Sequence, residues 1–401
     1  MADPSVETAA PNEITAVPRD EARRVPEAIT SICLSGGGYR AMLFHTGALW
    51  RLHETGLLGQ IGIFSSVSGG SIANGWLALK WPELTPTANF EQVYVEGIRE
   101  MARTNIDVWA VLGGIWNHSV AAKVAAAYDR VLFRGRKLGE IPAAPEFIYD
   151  SSNLQSGALW RFAKDYMGDY KVGYPQKPDL PLSLAVAASS AFPPFLSPVI
   201  LNPPLASYRP AQPAPAFRDP AYRERVVLSD GGVYDNLGLE PVIKRARTVL
   251  VSDGGGPFAP KPKPWICWPA QILRVLACED NQVRGLRKRD LISRYQLHKA
   301  LQEKGFDIWG TPAAAAIARM GTYWGISTLA DDYPVKNGLP CPADKTEELA
   351  HISTRLARMK EKDQEELINW GYAVCDYAIR SHVNPNIQPA ADWPYPKHKL
   401  G

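Results

Sequence analysis

Two short stretches rich in glycine and serine hold the residues with the most chemistry to offer. The first reads Ser35-Gly36-Gly37-Gly38-Tyr39-Arg40 and the second Ser66-Val67-Ser68-Gly69-Gly70. Each follows a short apolar run and precedes a segment with helical spacing, so both read as tight strand-to-helix turns. In the second, Ser68 can be thrust out as a nucleophile. Gly69 and Gly70 leave room after it, and Ser66 stands where a nucleophile elbow usually has glycine. The helix that follows would turn its positive end toward the hydroxyl. In the first, the N–H groups of Gly36, Gly37 and Gly38 can hold a developing oxyanion. Arg40 has two roles open to it: pairing with a substrate phosphate, or locking the loop through backbone carbonyls.

A serine nucleophile needs a base. The seven histidines are His45, His53, His118, His298, His351, His382 and His398, and none lies in a glycine-rich or strand-end context. Each reads better as a packing or surface residue. Asp230, in Ser229-Asp230-Gly231-Gly232, is the better candidate, because an ionised carboxylate can take the serine proton directly if it is close and aligned. Asp253 stands in a similar Ser-Asp-Gly-Gly context and Asp235 is a third choice. The residues alone do not rank Asp230 over Asp253. The glycine loop with Ala41 also fits the form of a dinucleotide-binding turn, but the next strand ends in Ser65-Ser66-Val67-Ser68, without the carboxylate that would hold a ribose.

These residues must be positioned by a strand, turn, helix, strand, turn, helix succession, the grammar of a parallel α/β sheet. Strands are expected at 28–34, 61–65, 146–149, 226–228 and 248–252. Helices are expected at 40–55, 71–79, 182–188, 271–305 and 344–382, with 88–135 mainly helical. Residues 202–224, rich in proline, read as a loop excursion. Three parts follow: a disordered lead-in over 1–26, an α/β core over 27–256, and a mainly helical C-terminal extension over 257–401 packed on that core. The chain has 401 residues, 46% apolar and 21% charged, with a formal charge of +3, which gives no argument for nucleic acid. Five cysteines without a C-x-x-C pair argue against a disulfide framework or a zinc site. No signal peptide or membrane span is expected, so any membrane contact is peripheral and the location cytoplasmic. Trp265 and Trp268, with Lys261, Lys263, Arg284, Arg287, Lys288 and Arg289, offer an anionic lipid interface; the plainer reading is a solvated basic face with buried tryptophans.

Taken together, the motifs resemble the patatin-like phospholipase family. That family shows, in order, a G-G-G-x-R loop, a G-x-S-x-G elbow and a D-G-G or D-G-A motif. They stand here as Gly36-Gly37-Gly38-Tyr39-Arg40, Ser66-Val67-Ser68-Gly69-Gly70 and Asp230-Gly231-Gly232. The run from Ser35 to Met42 is similar to the loop of the cytosolic phospholipases that share this fold, and Ala188-Ser189-Ser190-Ala191-Phe192-Pro193 resembles a further family segment. The resemblance covers about residues 28–256. It implies a three-layer α/β/α core with a mostly parallel sheet and a Ser–Asp dyad without histidine, which selects Asp230 over Asp253. The expected activity is lipid acyl hydrolysis on a lipid or phospholipid ester. Ser68 attacks, Asp230 accepts the proton, and Gly36–Gly38 hold the oxyanion. No cofactor and no metal are expected, and activity is expected without calcium. The alternatives are a catalytically silent membrane- or partner-binding module on the same fold and, further off, a dinucleotide-binding oxidoreductase.

Overall fold

The computed structural model describes residues 25–106, 120–209, 215–264 and 266–401. Residues 1–24 of the expected lead-in, His118 and Trp265 lie outside them. The first two strand-to-helix units run β1 (Glu27–Leu34), α1 (Gly38–Glu54), β2 (Ile61–Ser66) and α2 (Gly69–Lys80). After α3 (Val120–Tyr128) come β3 (Glu146–Asn153), β4 (Ala158–Phe162), β5 (Met167–Gly168), α4 (Leu182–Ser189), β6 (Val199–Leu201), β7 (Val226–Asp230) and β8 (Ala246–Asp253). The chain continues through α5 (Trp268–Glu303), β9 (Met320–Gly325) and α6 (Glu361–His382).

These strands form one nine-stranded sheet whose main path is β9-β8-β1-β2-β3-β4-β5. The pairs from β9 to β3 are parallel, and the hairpin strands β4 and β5 are antiparallel. Parallel strands covered on both faces alternate their apolar side chains between two cores. Ile32, Leu34, Phe64, Phe147 and Leu250 join the core under α1, α2 and α6. Their neighbours Cys33, Ile63, Ile148, Val249 and Val251 join the opposite core, which Leu291 of α5 completes. The result is the three-layer α/β/α arrangement.

Residues beyond 256 enter both the sheet and its cover. β9 pairs with β8 over its whole length. α6 crosses α1 at a glycine contact, where a Cβ on Gly371 would come 1.8 Å from the Phe44 carbonyl oxygen. Arg51 of α1 donates to Asp376 of α6 at 2.8 Å in the same interface. The expected helix over 344–382 is interrupted: helical turns cover Ala343–Ala350 and Glu361–His382, and the segment between them packs on the glycine loop.

One detail of the sheet positions the site. β2 lies beside β3 as far as Ser66, opposite Tyr149. β7 approaches along the same edge of β3 from the other direction, as far as Asp230, opposite Ser151. β4 occupies the other edge. The ends of β2 and β7 therefore meet head to head with about 7 Å between them, two residues at ~3.3 Å each. Whatever follows Ser66 is delivered to whatever ends β7.

Candidate functional site

Ser68 lies two residues past the end of β2 and caps α2 with φ 53° and ψ −120°. A non-glycine residue at positive φ is strained and persists only where its surroundings hold it. The restraints are on both sides. Val67 donates its N–H to the Leu34 carbonyl at 3.0 Å, and Gly70 donates to Ser35 O at 3.2 Å. The Ser68 N–H itself goes to the Ser189 hydroxyl at 3.1 Å. Gly69 packs so tightly on the glycine loop that a Cβ there would lie 2.1 Å from Gly38 O. Ser66, the departure from the usual elbow glycine, is a buried hydrogen-bond hub. Its hydroxyl donates to Ile148 O at 3.0 Å and accepts from Ser71 Oγ and Asn74 Nδ2.

Asp230 ends β7, and its backbone is fixed by three contacts. Its N–H donates to Ala191 O at 2.9 Å, its carbonyl accepts from Ser152 Oγ at 2.8 Å, and Gly231 donates to Ser189 O at 3.2 Å. Oδ1 accepts the Gly232 N–H at 2.7 Å. Oδ2 is buried and meets no partner in regular hydrogen-bond geometry among the described residues. The Ser68 hydroxyl is nonetheless near enough to act on this carboxylate as a hydrogen-bonding neighbour. Burial pushes the Asp230 carboxyl up to about 7, against the Gly232 and Ser68 interactions that lower it, and the negative charge of Asp280 on α5 adds to the rise. Asp280 is itself raised to about 6, chiefly by burial.

The two rival carboxylates are committed elsewhere. Asp253 accepts from Gly255 N at 2.9 Å and Tyr323 OH at 2.8 Å. Asp235 accepts from the N–H groups of Leu237 and Glu240 and pairs with Arg287. Of the described histidines, His351 and His382 are exposed. His45 is buried between Ser252 Oγ and Ser35 O, and burial lowers its pKa to about 4, so it is neutral.

The glycine loop runs beside the elbow. Gly37 has φ 145° and Gly38 φ 61°, values that favour glycine. Gly36 differs from the expectation of three available donors: its N–H is given to Asn236 O at 3.1 Å. The N–H groups of Gly37 and Gly38 find no acceptor among the described residues. A Cβ on Gly36 would lie 3.2 Å from Ser68 Cβ and 2.3 Å from Asn236 Oδ1, so loop, serine and Asn236 are in close contact. Arg40, buried, donates from Nε to Gly254 O at 3.2 Å and from Nη1 to Ile352 O. Its Nη2 has no partner among the described residues. Tyr39 donates to Arg355 O at 3.1 Å, so the segment between the two C-terminal helices braces the loop.

The reading of the sequence thus missed Ser189, Asn236, Asp280 and the carbonyls of Ile352 and Arg355. The Ala188–Pro193 run pointed to the place of Ser189 without its role, and Asn236 follows a candidate aspartate. The other contacts come from more than 200 residues away along the chain from the loop and leave no local pattern. Among the described residues, no group of three or more His, Cys, Asp or Glu side chains is arranged to hold a metal ion.

The fold and the motif order agree with what comparison finds. Human GIVD cytosolic phospholipase A2 superposes with a TM-score of 0.52 at 15% identity, covering 89% of this chain and 59% of that one. The same protein in complex with methyl gamma-linolenyl fluorophosphonate gives 0.50 at 16% identity, with 90% and 58% covered. At that identity the likeness is one of fold, and the chain spans less than two thirds of those structures' length. No curated protein matches the chain. The family model of the patatin-like phospholipases matches residues 32–243, more than half of the sequence and all three motifs. The chain belongs to the patatin-like phospholipase family.

Proposed function

We propose that the protein is a lipid acyl hydrolase that cleaves carboxylic esters of a lipid or phospholipid through Ser68 and Asp230, with no cofactor. The observation that carries this reading is a serine held at φ 53° beside a buried carboxylate whose Oδ2 has no hydrogen-bond partner among the described residues. Ser68 Oγ attacks the ester carbonyl carbon as its proton passes to Asp230 Oδ2. The N–H groups of Gly37 and Gly38 hold the oxyanion, and the Gly36 carbonyl-bound N–H keeps the loop in place. The tetrahedral intermediate collapses, the carbon–oxygen bond to the alcohol breaks, and the alcohol leaves with the proton from Asp230. Water then attacks the acyl-enzyme, gives a proton to Asp230, and the fatty acid departs as Ser68 recovers its hydrogen. Arg40, through its two carbonyl contacts, positions the loop. The chain works as a cytoplasmic protein that meets its substrate by peripheral contact with a membrane; no described helix is long and apolar enough to cross one. Residues 27–256 form the catalytic core in this reading, and residues 257–401 brace it.

The fold neighbour solved with a lipid-like fluorophosphonate supplies the probe. Intact mass after fluorophosphonate treatment should show one adduct on the parent protein and none on Ser68→Ala, with hydrolysis of a phospholipid ester lost in step. An adduct that survives Ser68→Ala, or Asp230→Ala that leaves turnover intact while Asp253→Ala abolishes it, overturns the assignment.

A further inference from the structure

The long helix α5 changes character along its length. From Asp280 onward one face, through Arg284, Arg287, Leu291, Tyr295 and His298, is turned into the protein. Leu291 and His298 are buried, and the Tyr295 hydroxyl donates to Val249 O at 2.6 Å. The basic run that sequence reading offered to lipid is largely spent here. Arg284 donates to Gly256 O and lies 3.8 Å from Asp253. Arg287 pairs with Asp235 and Glu240, and the Lys288 ammonium lies 4.3 Å from the centre of the Tyr323 ring.

Before Asp280 the helix is different. Trp268, Ile272 and Val275 are spaced i, i+4, i+7, which puts them on one face, and they are 74%, 41% and 55% exposed. Ile266, just before the helix, is 87% exposed. Four large apolar side chains on one short exposed stretch are more than the scattered single residues an ordinary surface carries. The charge around them is mainly positive: residues 257–278 contain Lys261, Lys263 and Arg274 and no aspartate or glutamate, and the exposed Glu279 follows one turn beyond Val275. Arg274 lies 3.8 Å from the centre of the Phe258 ring and donates to Ala259 O at 3.0 Å, which ties the proline-rich segment to this end of the helix. Lys261 and Lys263, a few residues on, are exposed. Asp280, whose charge reaches Asp230, follows Val275 by five residues, about 7.5 Å along a helix at ~1.5 Å per residue.

We propose that Ile266, Trp268, Ile272 and Val275 form a docking face for an anionic lipid surface, with Lys261 and Lys263 as its electrostatic contacts. Exposed tryptophan and aliphatic side chains enter the boundary between headgroup and acyl chain, and lysines beside them gain from anionic headgroups. The choice of a lipid surface over a protein partner rests on the proposed lipid hydrolysis and on this charge. Docking by this face sets the helix that carries Asp280 against the bilayer.

Flotation of the full-length Ser68→Ala protein with phosphatidylcholine vesicles, with and without phosphatidylserine, tests this apart from catalysis. The protein should float with the phosphatidylserine vesicles and much less with pure phosphatidylcholine. Trp268→Ser with Ile272→Ser should weaken partitioning at least tenfold or so, and Lys261→Ala with Lys263→Ala should do so by about the same factor on anionic vesicles only. Leu286→Ser, which alters another exposed apolar residue of the same helix, should float like its parent. Far-ultraviolet circular dichroism and a melting curve on each variant verify that it is folded. Absence of flotation with either vesicle, flotation indifferent to the Trp268 and Ile272 changes, or a dimer in light scattering that those changes abolish without any flotation overturns the proposal. Labelling of Ser68 without flotation removes the docking face and keeps the hydrolase; flotation without labelling does the reverse.

Discussion

The Ser189 hydroxyl accepts the backbone N–H of Ser68 at 3.1 Å, while the Ser189 carbonyl accepts the N–H of Gly231, next to Asp230, at 3.2 Å. One residue at the end of α4 therefore touches both halves of the proposed dyad. It also closes a chain of hydroxyls, since Ser189 Oγ lies 2.8 Å from Ser71 Oγ, which donates to Ser66. The positive φ of Ser68 is held in part by this acceptor, and buried polar groups that lose a partner cost more than the hydrogen bond itself.

Ser189→Ala should leave the Ser68 N–H and one end of the hydroxyl chain unpaired. A loss of roughly 1–3 kcal/mol in urea-unfolding stability is expected, with the rate of fluorophosphonate labelling lowered about tenfold or more as the elbow relaxes. Ser190→Ala, whose hydroxyl bonds to Val186 O and Tyr128 instead, should slow labelling far less. Equal labelling rates in the two variants would remove Ser189 from the positioning of Ser68.

How much of this was legible beforehand follows from where each contact comes from. β1, α1, β2 and α2 could be placed within a residue or two because their apolar spacing and glycine turns are local signals. The juxtaposition of Ser68 with Asp230 was implied by the family resemblance alone and not by the residues themselves. It arises because β7 enters antiparallel in line with the end of β2, and strand order leaves no mark in a short window of sequence. β9 escaped notice as well: Met320-Gly321-Thr322-Tyr323-Trp324-Gly325 is flanked by glycine and lacks alternation, and its burial comes from β8 beside it. The break between Ala350 and Glu361 went unread because that segment is shaped by the carbonyls it lends to Tyr39 and Arg40.

Asp230 should impose a pH dependence of opposite sign on activity and stability. The base must be ionised, so turnover is expected to rise with pH through about 7. Its pKa is raised in the folded protein above 3.8, so the fold binds this proton more tightly than the unfolded chain does. The stabilising contribution is full below the unfolded pKa and is lost as pH rises through the folded one. Asp230→Asn removes that loss. It should be inactive, close to the parent in stability at pH 4, and more stable than the parent by a few kcal/mol at pH 8. A stability difference that does not grow with pH would mean that the carboxyl is not held up in the fold.

Asp280 offers a finer adjustment of the same group. Its negative charge raises the Asp230 carboxyl, and it partly offsets Arg284, with which it interacts. Asp280→Asn removes a like charge and leaves Arg284 less compensated, and both effects favour an ionised Asp230. The midpoint of the pH–turnover curve should therefore move to lower pH by a fraction of a unit, with the plateau at alkaline pH little changed. A plateau that falls with no shift of the midpoint would instead make Asp280 a packing residue of α5.

Arg40 decides between its two roles by how its loss is distributed. Its Nε and Nη1 reach the carbonyls of Gly254, just past β8, and Ile352, in the segment between the two C-terminal helices. A lysine keeps the charge but has no planar fork to span both acceptors. Arg40→Lys should therefore cost about 2–3 kcal/mol of stability from the unpaired carbonyls, and turnover on a neutral ester and on a phospholipid should fall by the same factor as the loop loosens. A melting temperature equal to the parent's, with loss confined to the phospholipid, would overturn the bracing role. It would assign the guanidinium to the phosphate, with the unpartnered Nη2 as the contact.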